Sequence, residues 1–295
     1  MARMIKAGPV PTPARRRPSV RRSLATLLAY ATLTAGALVF FVPFLWLVVT
    51  SLKQRNQIFT DPLIWIPDPI MWSNYARALT SPGFPYLRLL ANPLFYAVTS
   101  TRGMVLSSTV VAYAFARMRF RGRDLLFAIT LATMMLPGIV TLIPTYVLFR
   151  AFGWVGTYAP LVVPMWFGGA FNIFLLRQFF LTIPIEYDQA ALVDGASYLR
   201  IFRRVILPQS VPALVAVGLL DFVSKWNDLL GPLIYLSNSR DWPLAVGLTA
   251  FRDIYSTQWN YLMASSLLAA VPCVLLFLAA QRLLARGLVV GRLKG

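Results

Sequence analysis

Six long apolar segments divide the sequence and constrain its fold more than any other feature. A membrane-spanning helix needs roughly 20 predominantly apolar residues, and each of these segments is about that long or longer. They occupy residues 26–50, 94–116, 124–147, 157–179, 210–235 and 261–281. The sequence therefore predicts an all-α integral membrane protein with six transmembrane helices.

The composition favours this interpretation over a soluble fold with six buried core helices. Hydrophobic residues make up 58% of the chain and charged residues 13%, whereas a soluble domain carries about a quarter charged residues. The segments at 26–50, 124–147 and 157–179 are also apolar around their whole circumference, which is typical of lipid-exposed helices. The first segment is too long for a signal-peptide core, so we expect it to remain as an anchor.

The positions of the basic residues predict the orientation in the membrane. With the N-terminus inside, 19 of the 28 Lys and Arg residues fall on the inner side, seven fall on the outer side and two lie within spans. The positive-inside rule then predicts that both termini are cytoplasmic. Residues 1–24 are expected to be a basic, disordered cytoplasmic tail near anionic lipid, followed by a membrane domain at 25–295. The net charge of +18 is thus a topology signal, and no nucleic-acid partner is expected.

The residue types exclude several kinds of chemistry. The chain has no histidine and a single cysteine, Cys273, so a disulfide pair, a His/Cys metal site and a histidine base are all excluded. None of the four lysines follows a glycine, and a P-loop is therefore absent. We predict that this chain is not an enzyme and holds no cofactor or metal. Any nucleotide chemistry would belong to another subunit.

The loop at 184–208, between the fourth and fifth apolar segments, predicts two short helices. Pro184 suits a first-turn position, and the acidic residues after it suit the positive end of a helix. Gly195 can adopt the left-handed conformation that ends a helix. Ser197 can cap a second helix, in which an apolar stripe lies opposite basic residues. The stripe consists of Ile201, Phe202, Val205 and Ile206, and the basic residues are Arg200, Arg203 and Arg204.

This loop resembles the EAA loop of ABC-importer permeases, whose pattern is E-A-A-x(2)-D-G-A followed by I-L-P. The matching residues are Gln189, Ala190, Ala191, Asp194, Gly195, Ala196, Ile206, Leu207 and Pro208. Further motifs resemble carbohydrate permeases of the maltose type, from about residue 25 to the end of the chain. They are Ala112–Arg117, Arg119–Arg123, Met135–Gly138, Phe174–Arg177, Trp226–Asp228, Arg286–Leu288 and Lys294–Gly295. The departure is Gln189, which replaces the glutamate of the motif and removes its charge.

The resemblance implies a type I ABC importer permease fold in a bacterial or archaeal cytoplasmic membrane. It implies that the EAA loop forms a coupling helix that docks on a cytoplasmic ATPase. The implied partners are a second homologous permease in a heterodimer, two ABC ATPase subunits, and an extracytoplasmic substrate-binding protein. In this family, the loop that corresponds to residues 236–260 contacts the binding protein. The implied function is ATP-driven import of a sugar or sugar derivative by alternating access.

Four charged residues lie within the predicted spans, where charges are costly and usually functional. Asp221, Lys225 and Asp228 share one helical face, and Arg102 lies at a similar depth in the second span. We predict a buried polar cluster, with Trp226 and Asn227 beside it, that lines the pathway or the permease–permease interface. Two interpretations stay open: a paired structural network, or a pathway for an anionic substrate. A set of aromatic residues could stack on sugars or serve as packing: Tyr146, Trp166, Phe167 and Phe171.

Three alternatives compete with ATP-driven import of a sugar. A secondary transporter driven by an ion gradient could use the span carboxylates as ion carriers, but it gives no reason for the EAA loop. An integral-membrane enzyme lacks a clustered acid and base in the loops. An ABC permease for a non-sugar solute, such as a glycerophosphate ester, stays open because the sequence does not specify the substrate.

Overall fold

The computed structural model describes residues 20–80, 85–251 and 258–290, and the regular secondary structure within these ranges is helical. The chain divides into two units, one up to Leu47 and one from Val48 onward. Helix α1, Val20–Ser51, contains the whole of the first predicted span and has Pro43 inside it. Residues 1–19 of the predicted cytoplasmic tail lie outside the described residues.

Thirteen further helices follow α1 in the described part of the chain, with short 3₁₀ segments between some of them. The helices are α2 Ser73–Thr80, α3 Tyr86–Arg117, α4 Arg123–Thr133, α5 Gly138–Ala151, α6 Ala159–Val162, α7 Ala170–Thr182, α8 Glu186–Val193, α9 Tyr198–Ile201, α10 Leu207–Gln209, α11 Val211–Trp226, α12 Leu230–Tyr235, α13 Leu244–Gly247 and α14 Trp259–Val290. The 3₁₀ segments are Arg55–Gln57, Val163–Phe167, Ser239–Asp241 and Leu248–Phe251.

Two further predicted spans lie, like the first, within long continuous helices. Helix α3 has 32 residues and is therefore about 48 Å long, well beyond a hydrocarbon core of roughly 30 Å. It begins at Tyr86, before the predicted start at residue 94, because Tyr86 and Leu89 pack into a core cluster with Leu244. Helix α14 likewise extends beyond the predicted span 261–281 at both ends.

The other three predicted spans are interrupted, each next to a proline or glycine. The segment 124–147 consists of α4 and α5, which meet at an angle of 96°. Pro137 precedes α5 and disfavours a helical conformation for the residue before it. The segment 157–179 is broken by the 3₁₀ turn Val163–Phe167, and the segment 210–235 is broken between α11 and α12. Irregular backbone at membrane depth is tolerated where it is buried in protein or lines a water-filled cavity.

Three helical stretches of the described chain are long and apolar enough to cross a membrane: Leu24–Ser51, Ala159–Thr182 with its 3₁₀ turn included, and Trp259–Leu284. The number rises to five if each of two bent helix pairs counts as one span. Helix α3 is long enough but is more polar, since it carries Arg102 and a series of Ser and Thr residues. The count of six spans and the orientation of the termini remain predictions.

The main core of the second unit lies where α3, α7 and α11 meet. Helix α3 packs against both α7 and α11, and α11 packs against α14. The core cluster also includes residues from the loop at 184–208, among them Ile201, Phe202 and Ile206. The loop that resembles the EAA motif is therefore packed into the same core as the membrane helices.

Candidate functional site

The first half of the coupling segment, residues 184–208, is helix α8, which ends in a Schellman motif. Gly195 has φ +75° and directly follows the C-cap residue, Asp194. The N–H of Ala196 donates to Ala191 O at 2.9 Å, and the N–H of Gly195 donates to Leu192 O at 3.0 Å. These two bonds satisfy carbonyls that a helix end otherwise leaves free. The predicted glycine stop is confirmed. Pro184 lies just before the N-cap, Ile185, rather than within the first turn.

The second half of the coupling segment is a helix that runs from Tyr198 to Gln209. Ser197 is its N-cap, and its side chain accepts a hydrogen bond from Arg200 N at 3.4 Å. Ile201 and Ile206 are buried, as the apolar stripe predicted. The stretch Phe202–Ile206 is a π-helical turn, which the sequence analysis did not anticipate. The turn contains Arg204, four residues before Pro208, and in a regular α-helix the proline ring would clash with the carbonyl of Arg204.

The outer face of the coupling segment is exposed and partly apolar. Val193 is 88% exposed and Leu199 59% exposed, and Gln189, Ala190 and Asp194 are also exposed. Solvent-facing apolar residues grouped among polar ones mark interaction surfaces. Small alanine side chains and the Gly195 bend leave this surface accessible to a partner.

The inner face of the segment contains an ion pair that the sequence analysis missed. Arg117 Nε lies 3.6 Å from Asp188 Oδ2, and both side chains are buried. Burial raises the pKa of Asp188, and the Arg117 charge opposes this rise. In the sequence, Arg117 belongs to the motif Ala112–Arg117, and Asp188 is an acidic residue in the first turn of α8. No local pattern links these two residues, because they lie on different helices.

Two carboxylates, Asp221 within α11 and Asp228 just after its end, accept hydrogen bonds from hydroxyl groups of α3. Thr101 Oγ1 donates to Asp221 Oδ2 at 2.9 Å, and Tyr96 OH donates to Asp228 Oδ2 at 2.8 Å. Asp228 also accepts a bond from Gly231 N at 3.1 Å, so it holds the first turn of α12. The two acids therefore connect three elements at the interruption of the fifth predicted span.

The predicted cluster of four charges is corrected by this geometry. Arg102 is exposed, and neither it nor Lys225 forms an ion pair within the described ranges. Thr101 faces α11, and Arg102 is rotated by about 100° from it because it is the next residue of a helix with 3.6 residues per turn. Trp226 is buried and donates to Ala269 O at 3.2 Å. Within the described ranges, the side chain of the exposed Asn227 bonds to Val223 O of the preceding helix, α11.

The interruption of the fourth span packs the aromatic side chain of Trp166 on α3. Trp166 packs on Gly103, where an added Cβ would lie 2.5 Å from the indole ring. Trp166 is 49% exposed and Phe167 79% exposed. The N–H of Gly169 donates to Ser108 Oγ at 3.1 Å, which holds the irregular backbone against α3. Of the predicted aromatic set, Tyr146 serves as packing, since it stacks on Tyr235.

Comparisons with known proteins agree with this architecture. Residues 105–290 match the family described as "Binding-protein-dependent transport system inner membrane component". The chain is 34% identical over 279 residues to the maltose/maltodextrin transport system permease MalG of Yersinia pestis, covering 88% of this chain and 90% of the relative. It is 30% identical over 261 residues to the trehalose/maltose permease MalG of Thermococcus litoralis, covering 88% and 93%. It is 32% identical over 276 residues to the sn-glycerol-3-phosphate permease UgpE of Rhizobium meliloti, covering 91% and 98%.

A solved structure supports the same fold. One chain of a bacterial ABC transporter involved in the import of the acidic polysaccharide alginate matches with a TM-score of 0.74 and 24% sequence identity, covering 90% of this chain and 98% of that chain. The extent of the family match and the identity to curated permeases decide the assignment. The chain belongs to the family of inner-membrane components of binding-protein-dependent transport systems, the permease subunits of ABC importers.

Proposed function

We propose that this chain is the permease subunit of an importer for a sugar or sugar derivative, and that its coupling segment receives the movement of a cytoplasmic ATPase. The observation that carries the proposal is the division of the segment into two faces. Ile201 and Ile206 fix the inner face in the core, whereas Val193 and Leu199 are exposed on the outer face. A rigid element with one face available can transmit force from a partner to the helices behind it.

The proposed assembly contains a second, homologous permease, two ATPase subunits that hydrolyse ATP, and an extracytoplasmic binding protein. Six spans with both termini in the cytoplasm are proposed on the positive-inside distribution of Lys and Arg. Docking on an ATPase requires the coupling segment to lie on the cytoplasmic side, and this orientation gives it that position. The three exposed arginines of the second coupling helix then lie at the headgroup level, namely Arg200, Arg203 and Arg204.

A carbohydrate substrate is supported by the permeases for maltose, maltodextrin and trehalose among the relatives. An anionic solute such as a glycerophosphate ester is the second candidate, and Arg102 favours it. This residue lies near the middle of α3 with its side chain exposed and without an ion pair among the described residues. A guanidinium at mid-membrane depth that faced lipid would cost several kcal/mol, roughly 3 by insertion scales. Its face of α3 is therefore covered by protein or lines an aqueous pathway.

Reconstitution tests the proposed function directly. The complex purified from the native membrane is expected to contain an ATPase and a second permease. In proteoliposomes it is expected to accumulate substrate only with ATP and the binding protein. Uptake by the isolated chain with an ion gradient alone would instead establish a secondary transporter.

The role of Arg102 is tested by R102A and R102K, with L106A as the matched control on the same exposed face. If Arg102 lines the pathway for an anionic solute, R102A assembles normally and loses uptake, whereas R102K retains part of it. L106A is expected to transport normally. Loss of assembly in R102A would refute the pathway role and would favour a structural one.

A further inference from the structure

Two side chains one turn apart on α3 attach the inner face of the coupling segment. Tyr113 OH donates to Tyr198 O at 3.1 Å, and its ring lies 4.8 Å from the ring of Phe202. Arg117, four residues later, reaches α8 through Asp188. Side chains at i and i+4 lie on the same face of a helix. The last turns of α3 therefore contact both halves of the coupling segment.

Arg117 also closes the end of α7. Its Nη2 donates to Phe180 O at 2.7 Å and to Ile183 O at 2.6 Å. The last carbonyls of a helix have no partner within the helix, and a cation is stabilising at this end. In return, Arg177 of α7 donates through Nε to Phe115 O, near the end of α3, at 3.4 Å. The ends of α3 and α7 are thus tied to each other by two arginines.

The contact between Arg117 and Asp188 acts through charge. Their distance of 3.6 Å is longer than a hydrogen bond. Arg117 Nε and Asp188 Oδ1 are both buried and have no hydrogen-bond partner. A buried carboxylate with an oxygen that lacks a hydrogen bond depends on a nearby opposite charge, and breaking such a pair leaves a buried charge uncompensated. A second ion pair, Arg123 Nε to Asp124 Oδ1 at 2.9 Å, joins sequence neighbours in a more exposed setting and provides a matched control.

We infer that Arg117 and Asp188 are positioning residues that make α8, α3 and α7 move as one body when an ATPase displaces the coupling segment. The inference rests on the proposed function and names the residues that transmit the movement. Helix α3 then carries the displacement to Thr101 and Tyr96. Thr101 binds Asp221 of α11, and Tyr96 binds Asp228 in the interruption that follows α11. One helix therefore connects the ATPase-facing loop to the interrupted fifth span.

Hydrogen exchange of the intact complex tests the attachment itself, with D188N as the variant and D124N as the control. The amide removes the charge of Asp188 and keeps its shape. Amides of residues 186–194 are expected to exchange about tenfold faster in D188N, because local opening is governed by the contacts that hold the segment. Amides of 198–209, still held by Tyr113, are expected to change little, and D124N is expected to match the wild type. Unchanged exchange at 186–194 in D188N would overturn the inference.

Uptake per ATP hydrolysed tests the transmission in proteoliposomes. We expect D188N to keep its ATPase subunits and its ATP hydrolysis, while substrate uptake per ATP falls about tenfold. D188E, which restores the charge, is expected to recover part of the uptake. If uptake per ATP hydrolysed were the same in D188N as in the wild type, the inference would be overturned. Loss of the ATPase subunits from the D188N complex would also overturn it, because the ion pair of Arg117 and Asp188 would then be required for docking. A wild-type complex without any ATPase would contradict the proposed function, and hydrogen exchange would still decide whether the attachment exists.

Discussion

Replacing Gly195 tests how much the C-terminal end of α8 contributes to ATPase binding. The position suits this test because Gly195 has a left-handed backbone conformation and open space around its Cα. Its φ is +75°, and an added Cβ would meet nothing within 4 Å. A substitution therefore costs only backbone strain, which is about 1–2 kcal/mol for an ordinary L-residue. Asn tolerates this region better than Ala, and a β-branched residue tolerates it worst. The expected order of increasing damage is G195N, G195A, G195V.

The strain is expected to appear as weaker binding of the ATPase. If docking requires α8 to end as it does here, a cost of about 1–2 kcal/mol lowers the affinity about 5- to 30-fold. The assay is binding of purified ATPase subunits to the permease pair in nanodiscs. G153A is the matched control, since Gly153 has φ +70° and open space outside the coupling segment. A ranking by side-chain size, with G195N worse than G195A, would refute the backbone argument.

Two further predictions concern the outer face of α8 and the contact between α3 and Trp166. V193D is expected to weaken ATPase binding tenfold or more, because burying a valine is worth about 1.5–3 kcal/mol. The control is I66D, at a residue that is 82% exposed. Equal ATPase affinity in the two variants would contradict the docking surface. G103A is expected to destabilise the protein by about 1–3 kcal/mol, because the added methyl would overlap the Trp166 ring. Thermal unfolding in detergent measures this against G138A, where an added Cβ meets nothing within 4 Å, and equal stabilities would contradict the contact.

Local signals in the sequence predicted the coupling segment well. Gly195 ends α8 and Ser197 caps the second coupling helix, because each acts on backbone groups within three or four residues of itself. The buried stripe of the second coupling helix also follows from helical periodicity alone. The π-helical turn before Pro208 was not foreseen, since a proline can be accommodated by a break, a kink or a widened turn.

The cluster of four charges shows where such reasoning fails. Depth along a helix follows from a fixed rise per residue, so the sequence could place Arg102 and Asp221 at similar levels. The rotation of α3 against α11 is set by packing, and it brings Thr101 rather than Arg102 to Asp221. A shift of one residue along a helix rotates a side chain by about 100°. This rotation is enough to turn Arg102 away from Asp221 and leave its side chain exposed.

The sequence by itself determined an all-helical membrane protein, its charge asymmetry and its coupling segment, because these depend on composition, period and local capping. Only the tertiary structure decided which side chains meet. Tyr96 and Asp228 are 132 residues apart in sequence, and Arg117 contacts α7 and α8 across intervening helices. Such contacts depend on how helices are rotated and interrupted when they pack, and no pattern within a single segment encodes them.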